Sequence, residues 1–325
     1  MTEVRRCPFC YRSCSLGDGD IGLCRVIRND RGVFNAVTSQ RYGALHIDPI
    51  EKKPLYHFHP GSSTFSIGMT GCNLFCDFCQ NHSLVRGEGA GMKDLTASEI
   101  LAAVDTSRSS IISYTYSEPI VWQSSLLPIA EGVHQRGLLN VLVTNGTFSR
   151  WSLSHLKMLT DALNIDLKGD EQFYREVCHA KGAYQSVLDS IDFWVNHTES
   201  VVEVTSLIIE GFHTPGWVRE TGALLKEIGV SVWHLSRFFP AFRMAHRAPT
   251  SPSCMLECFE EAQKSGMDYV YLGNMEHPST QSLKCPRCSN LIPRKALNEL
   301  ADSRHHLKCP RCGSPLYGRY GSTDV

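Results

Sequence analysis

Eleven of the fourteen cysteines in this 325-residue chain fall into three short clusters, which constrain the fold more tightly than anything else in the sequence. Cys7, Cys10, Cys14 and Cys24 lie in CPFCYRSCSLGDGDIGLC. Cys72, Cys76 and Cys79 lie in TGCNLFCDFCQN. Cys285, Cys288, Cys309 and Cys312 form two CPRC knuckles. Thiols two to four residues apart are spaced as metal ligands. Disulfide frameworks belong to small secreted domains, so clustered thiols in a chain of this length mean metal or redox work in a reducing compartment.

With 42% hydrophobic residues, the chain can fill one barrel-sized core with small appendages. Its formal charge of −1 gives no drive toward nucleic acid or anionic membrane. The opening MTEVRRCPFC has no apolar signal core, and no later stretch approaches a membrane span. A soluble cytoplasmic protein is expected, with neither nucleic acid nor membrane as partner.

Between the outer cysteine clusters, β-branched runs alternate with segments of helical period, the pattern of repeated βα units around a parallel sheet or barrel. Strands are predicted at 63–70, 110–116, 140–145, 162–167, 202–209, 230–238 and 268–273. Thr96 with Glu99 reads as a capping box and Leu95 with Ile100 as a hydrophobic staple. Pro215 and Pro252 sit at first-turn positions, while Gly229 and Gly266 stop helices. Met255, Cys258, Phe259 and Ala262 share one helical face, which makes Cys258 a core residue. The organisation expected is a Cys-rich metal-binding module at 1–48, a barrel at 49–276 and a zinc ribbon at 277–325.

The middle cluster, C-x3-C-x2-C, follows a predicted strand and therefore projects from the C-terminal rim, where βα barrels place their chemistry. Three thiolates can hold three irons of a [4Fe-4S] cluster and leave the fourth iron open to a small molecule. This spacing, with Phe78 before the third cysteine, resembles the signature of the radical S-adenosylmethionine (SAM) superfamily. The resemblance implies a partial (β/α)6-7 TIM-like barrel and reductive cleavage of SAM to a 5′-deoxyadenosyl radical that abstracts hydrogen from a substrate.

Further segments carry the likeness. SYTYSEP (113–119) resembles the superfamily's Gly-Gly-Glu-Pro segment, which assigns Glu118 to the SAM amino group, although Tyr116 and Ser117 replace the glycines. VTNG (143–146) and IDLKG (165–169) are similar to segments of pyruvate formate-lyase activating enzyme, which makes Thr144, Asn145, Asp166 and Lys168 cofactor-site residues. The bland alternatives are a helix-start carboxylate for Glu118 and a strand-end ion pair for Asp166 and Lys168. In VWHLSRFFP (232–240), His234 and Arg237 are expected over the barrel mouth, with His234 at the cofactor. Thr205 points inward by strand alternation.

PIEKKPLYHFHPG (49–61), CQN, WHLSRFFP, YLGN and the terminal cysteines together resemble the AmmeMemoRadiSam-system radical enzymes over nearly the whole chain. That likeness implies AmmeMemo-type protein partners and an electron donor such as flavodoxin or ferredoxin, and it leaves the substrate open. Activation of a partner protein's glycine, as by an activase, is one alternative. A noncatalytic zinc-binding scaffold is another, of a different class.

The first four cysteines fit either a structural zinc knuckle or an auxiliary iron–sulfur cluster, because their spacing does not separate the metals. The last four match a closed zinc site, and the ribbon they form suits a protein contact or a lid over the barrel. Arg287, Arg294, Arg304 and Arg311 nearby read as a solvated face. Cys178 is read either as a buried thiol or as a hydrogen donor to a substrate radical.

Overall fold

A computed structural model describes residues 4–37, 41–88, 91–321 and 323. The outermost residues of the two terminal modules lie outside this range. Nine strands form one sheet: β1 (Arg41–Pro49), β2 (Ser63–Met69), β3 (Lys93–Asp94), β4 (Ile111–Tyr114), β5 (Leu139–Thr144), β6 (Ala162–Asp166), β7 (Val201–Ile208), β8 (Val232–Arg237) and β9 (Tyr269–Gly273). Their order is β9-β8-β7-β6-β5-β4-β2-β1-β3. Every pair from β2 to β9 is parallel, whereas β1 runs antiparallel to β2 and β3 antiparallel to β1. The parallel strands add in chain order without reversing, as a barrel does and a doubly wound sheet does not. With β9 and β3 left as edges, the barrel is partial.

The predicted strands stand where the β-branched runs lie, and β4 is buried at all four residues, as a parallel strand covered on both faces must be. Helix α1 (His82–Arg86) follows the three-cysteine loop, and α2 (Ala97–Ser107) starts with the reciprocal Thr96–Glu99 capping box. After α3 (Gln123–Gln135), α4 (Arg150–Leu156), α5 (Glu171–Glu176) and α6 (Ala183–Asn196) come α7 (Pro215–Ile228) and α8 (Pro252–Lys264). Both of these carry proline at the first turn and a hydroxyl cap, from Thr214 and Ser251. Met255, Cys258, Phe259 and Ala262 form the buried stripe of α8. No helix among the described residues is long and apolar enough to cross a membrane.

Ribbon and barrel meet at the N-terminal ends of the strands. Tyr317 Oη donates to Val202 O at 3.0 Å, and Asn298 Nδ2 donates to Pro60 O at 2.6 Å. The 49–61 segment is the filler between them: Ile50, Leu55, His57 and Phe58 are fully buried. The ribbon therefore seals the end opposite the three-cysteine loop; it is not a lid over the barrel mouth.

The N-terminal segment packs against the other end. Cys7, Phe9, Cys10, Val26 and Ile27 share the hydrophobic core of the barrel. Tyr11 N–H donates to Thr147 O at 3.1 Å, and Arg12 Nε to Asn73 O at 2.7 Å. Gly71, just before Cys72, makes this close approach feasible. Its φ is +98°, and a Cβ there would lie 1.9 Å from Val26 Cγ2.

Candidate active site

Residues beyond the C-terminal ends of β2, β4, β5 and β6, with side chains from β7 and β8, enclose one cavity of about 770 Å³. That is ample for a nucleoside-sized ligand. Cys72, Cys76, Cys79 and Phe78 line it, as do Glu118, Thr144, Asn145, Asp166 and Lys168, and Thr205 reaches it from β7. Thr144, Asp166 and Thr205 sit on strands and the others in the loops that follow β2, β4, β5 and β6, which puts them at the rim.

The three cysteines differ in spacing from the C-terminal four. In the ribbon, Cys285 and Cys312 Sγ are 3.7 Å apart and Cys288 and Cys309 Sγ 3.6 Å. Four sulfurs in a tetrahedron around zinc stand about 3.8 Å apart. Among the described residues this is the one group of three or more His, Cys, Asp or Glu side chains with all ligand atoms within 4.8 Å of one another. Cys72, Cys76 and Cys79 are more widely set than a single ion requires, while all three face the same cavity. A three-thiol donor set of that width fits a [4Fe-4S] cluster with one open iron. Behind the loop, Cys178 lies within hydrogen-bond reach of Cys76 and does not line the cavity.

Glu118 is 2% exposed and accepts three hydrogen bonds: from Thr144 Oγ1 at 2.7 Å, Asn145 N at 2.7 Å and Ile120 N at 3.1 Å. The last caps a short 3-10 turn that begins with Pro119, so the helix-start role is real and coexists with the cavity position. Burial pushes its carboxyl up to about 7 against the pull of these donors. An incoming ammonium group would relieve that desolvation, and a carboxylate with three acceptances still has a lone pair to offer.

Asp166 and Lys168 form an ion pair at 2.7 Å on the cavity wall. Burial alone would lower the Lys168 ammonium; the Asp166 carboxylate facing it more than offsets that, and the amine stays charged. Asn145 links two parts of the site, with its Nδ2 at 2.8 Å from Asn73 Oδ1 and 3.7 Å from Cys72 Sγ.

His234 is not at the mouth. Two residues before cavity-lining Ser236 on the same face of β8, it lies one layer deeper in the barrel. There Nε2 meets Glu203 Oε2 at 2.6 Å and the ring packs against Tyr56 and Tyr271. Burial would raise the Glu203 carboxyl, but the hydrogen bond with His234 keeps it lowered and ionised, and the His57 backbone N–H donates to it at 2.7 Å. A charge buried this deeply needs such partners, which gives His234 its structural place. Arg237, further along β8, borders a smaller pocket with Gln80, Leu207, Phe239 and Asn274.

Lys53, His82 and Phe242, which also line the cavity, escaped the sequence reading, as did the backbone conformation of Tyr116. Tyr116 has φ +67° at a position where the resembled motif has glycine. It is held there by a hydrogen bond to Asp48 and by the Lys53 ammonium 4.5 Å from its ring centroid. Phe242, at φ +48°, stacks on His82 at 4.9 Å, and Arg243 Nη1 bonds Asp77 Oδ1 at 3.1 Å, strapping the segment after β8 across the cysteine loop. Non-glycine residues at positive φ were the structural signal, and sequence alone does not display them.

Residues 66–214 match the family model described as the Radical SAM superfamily. An uncharacterized protein of Methanocaldococcus jannaschii is 32% identical over 304 residues, spanning 88% of this chain and 86% of the relative. Streptococcus suis SuiB bound to S-adenosylmethionine is similar with a TM-score of 0.50 at 9% identity, covering 67% of this chain and 48% of SuiB. A domain of pyruvate-formate lyase-activating enzyme from Bacteroides vulgatus gives a TM-score of 0.43 at 16% identity, over 50% of this chain and 98% of that domain. At such identities the structural likeness concerns the fold.

Proposed function

The chain belongs to the radical SAM superfamily and is an enzyme; from that premise we propose that it abstracts a hydrogen atom from its substrate within the cavity at the C-terminal rim. The observation that carries this reading is the convergence of Cys72, Cys76 and Cys79 with Glu118, Asn145, Asp166 and Lys168 on one cavity. When bound and reduced, a [4Fe-4S] cluster on the three thiolates would supply the electron that splits SAM into methionine and a 5′-deoxyadenosyl radical. Flavodoxin or ferredoxin is proposed as the electron donor. AmmeMemo-type proteins are proposed as partners, on the strength of the AmmeMemoRadiSam motifs.

The protein's own groups bind and aim. Glu118, held by Thr144 and Asn145, would accept a hydrogen bond from the SAM ammonium. Lys168, held charged by Asp166, neutralises an anionic group of the bound cofactor or substrate. The Phe242 strap and Phe78 exclude water from the cysteine loop, which suits a reactive radical. The ribbon at the far end takes zinc and closes the barrel floor, a structural role.

The test uses SAM and candidate substrates deuterated at carbon, with anaerobically reduced enzyme. Deuterium appearing in 5′-deoxyadenosine identifies a hydrogen donor and supports the proposal. Substrate turnover with no transfer of label, direct or exchanged, would argue against hydrogen abstraction.

A further inference from the structure

We propose that Cys7, Cys10, Cys14 and Cys24 hold a second iron–sulfur cluster, placed beside the three-cysteine loop and passing electrons to the cluster there. Two metal-ligand geometries already present in the chain serve as rulers. The ribbon sulfurs stand at the spacing of a single ion, and the sulfurs of Cys72, Cys76 and Cys79 stand wider. No three of the N-terminal four come together within 4.8 Å, so they follow the second ruler.

They nevertheless converge. Cys7 N–H donates to Cys14 O at 2.9 Å. A Cβ built on Gly22 would meet Cys24 Sγ at 3.7 Å and Cys14 Sγ at 3.8 Å, so these two sulfurs flank one point. Four converging thiols too widely set for one ion match the corners of an iron–sulfur cube, whose irons spread the ligands outward. With four cysteine ligands no iron is left open, which favours electron transfer over substrate binding.

The placement supports a relay. Cys24 lines the same cavity as Cys72, Cys76 and Cys79. Asn73 lies within hydrogen-bond reach of the Cys10 sulfur and accepts at Oδ1 from Asn145 Nδ2, whose other contact is Cys72 Sγ. Cys10, Asn73, Asn145 and Cys72 thus form a chain of neighbouring polar groups between the two sulfur sets, with Cys10, Asn73 and Asn145 buried. One electron from a low-potential one-electron donor protein reduces the N-terminal cluster. The same electron then passes to the cluster at Cys72, Cys76 and Cys79 and returns the first to its oxidised state. No bond is made or broken and no proton moves. The relay rests on the SAM-cleaving reading; the site itself does not.

The experiment is metal and sulfide analysis, with electron paramagnetic resonance, on the full chain reconstituted without oxygen in the presence of iron, sulfide and zinc together. The expected content is about eight irons, about eight sulfides and about one zinc per chain. About four irons and two zincs would overturn the proposal, whatever any variant does. Cys76→Ala should retain about four irons whose signal ignores SAM, whereas Cys7→Ser with Cys14→Ser should retain about four whose signal shifts on adding SAM. A SAM-insensitive signal from wild-type protein that still holds about eight irons would instead count against the reading at Cys72, Cys76 and Cys79. For the relay, Asn73→Ala should keep the full iron content and slow reduction of the SAM-responsive signal by reduced flavodoxin about tenfold or more. An unchanged rate overturns the coupling.

Discussion

Gly71 shows how one residue without a side chain can hold the site together. Its positive φ turns the chain into the cysteine loop, and its bare Cα admits Val26 of the N-terminal segment. Gly71→Ala should destabilise the protein by about 1–3 kcal/mol through strain and overpacking, read from denaturant midpoints, with faster proteolysis near residue 26. A neutral result would mean that the N-terminal segment does not press on the loop. Glu118 makes a second prediction at this scale. Its folded carboxyl is raised to about 7 by burial, so below that pH it holds a proton that an ammonium group must displace. SAM affinity should therefore rise with pH up to about 7 and level off above it. Glu118→Gln should bind weakly with no such slope, as titration calorimetry would show; an identical slope in the variant would remove Glu118 from the amino group. The motif residues were legible because strand-end spacing fixes both face and height. His234 was misplaced because alternation reveals the face of a strand but not its depth, and depth depends on where Glu203 of the neighbouring strand needed a partner.

At the scale of elements, the seven parallel strands could be read from β-branched runs because each is buried over most of its length. The antiparallel β1 could not. Arg41–Pro49 alternates exposed and buried residues with interruptions, and its partners β2 and β3 lie on either side in space without a tight turn to announce the pairing. Nor did sequence show which end of the barrel the ribbon would close. That docking hinges on His57, fully buried, with Nδ1–H donating to Tyr317 O at 2.8 Å and Nε2 accepting from Tyr271 Oη at 2.8 Å. Burial lowers its imidazole from 6.5 to about 4. Between those values the unfolded chain binds a proton that the folded chain refuses, so stability falls as pH drops through that window and is fully present above it. The loss amounts to roughly 3 kcal/mol at its limit. Urea midpoints between pH 7 and pH 4 should fall more steeply for the wild type than for His57→Gln. Parallel curves would show that another group carries the acid sensitivity.

The whole molecule is a partial barrel with three cysteines at the rim of a cavity at one end and a four-cysteine ribbon at the other. Composition anticipated the three cysteine groups, but not their geometry: sulfurs stand at 3.6–3.7 Å in the ribbon and wider in the loop at the cavity. Their separation implies independence. Replacing a ligand in the loop should leave zinc binding at the ribbon unchanged, because the ribbon cysteines sit in a separate hydrophobic cluster, shared with Val232, Tyr269 and Tyr271 at the far end of the barrel. The most direct measurement compares wild-type and Cys76→Ala protein, both reconstituted and reduced without oxygen and given SAM alone, with 5′-deoxyadenosine quantified by chromatography and iron and zinc assayed on the same samples. The account predicts 5′-deoxyadenosine from the wild type, none above background from Cys76→Ala, and equal ribbon zinc in both. Undiminished 5′-deoxyadenosine from the variant, or an iron-free wild type that cleaves nothing, would contradict it.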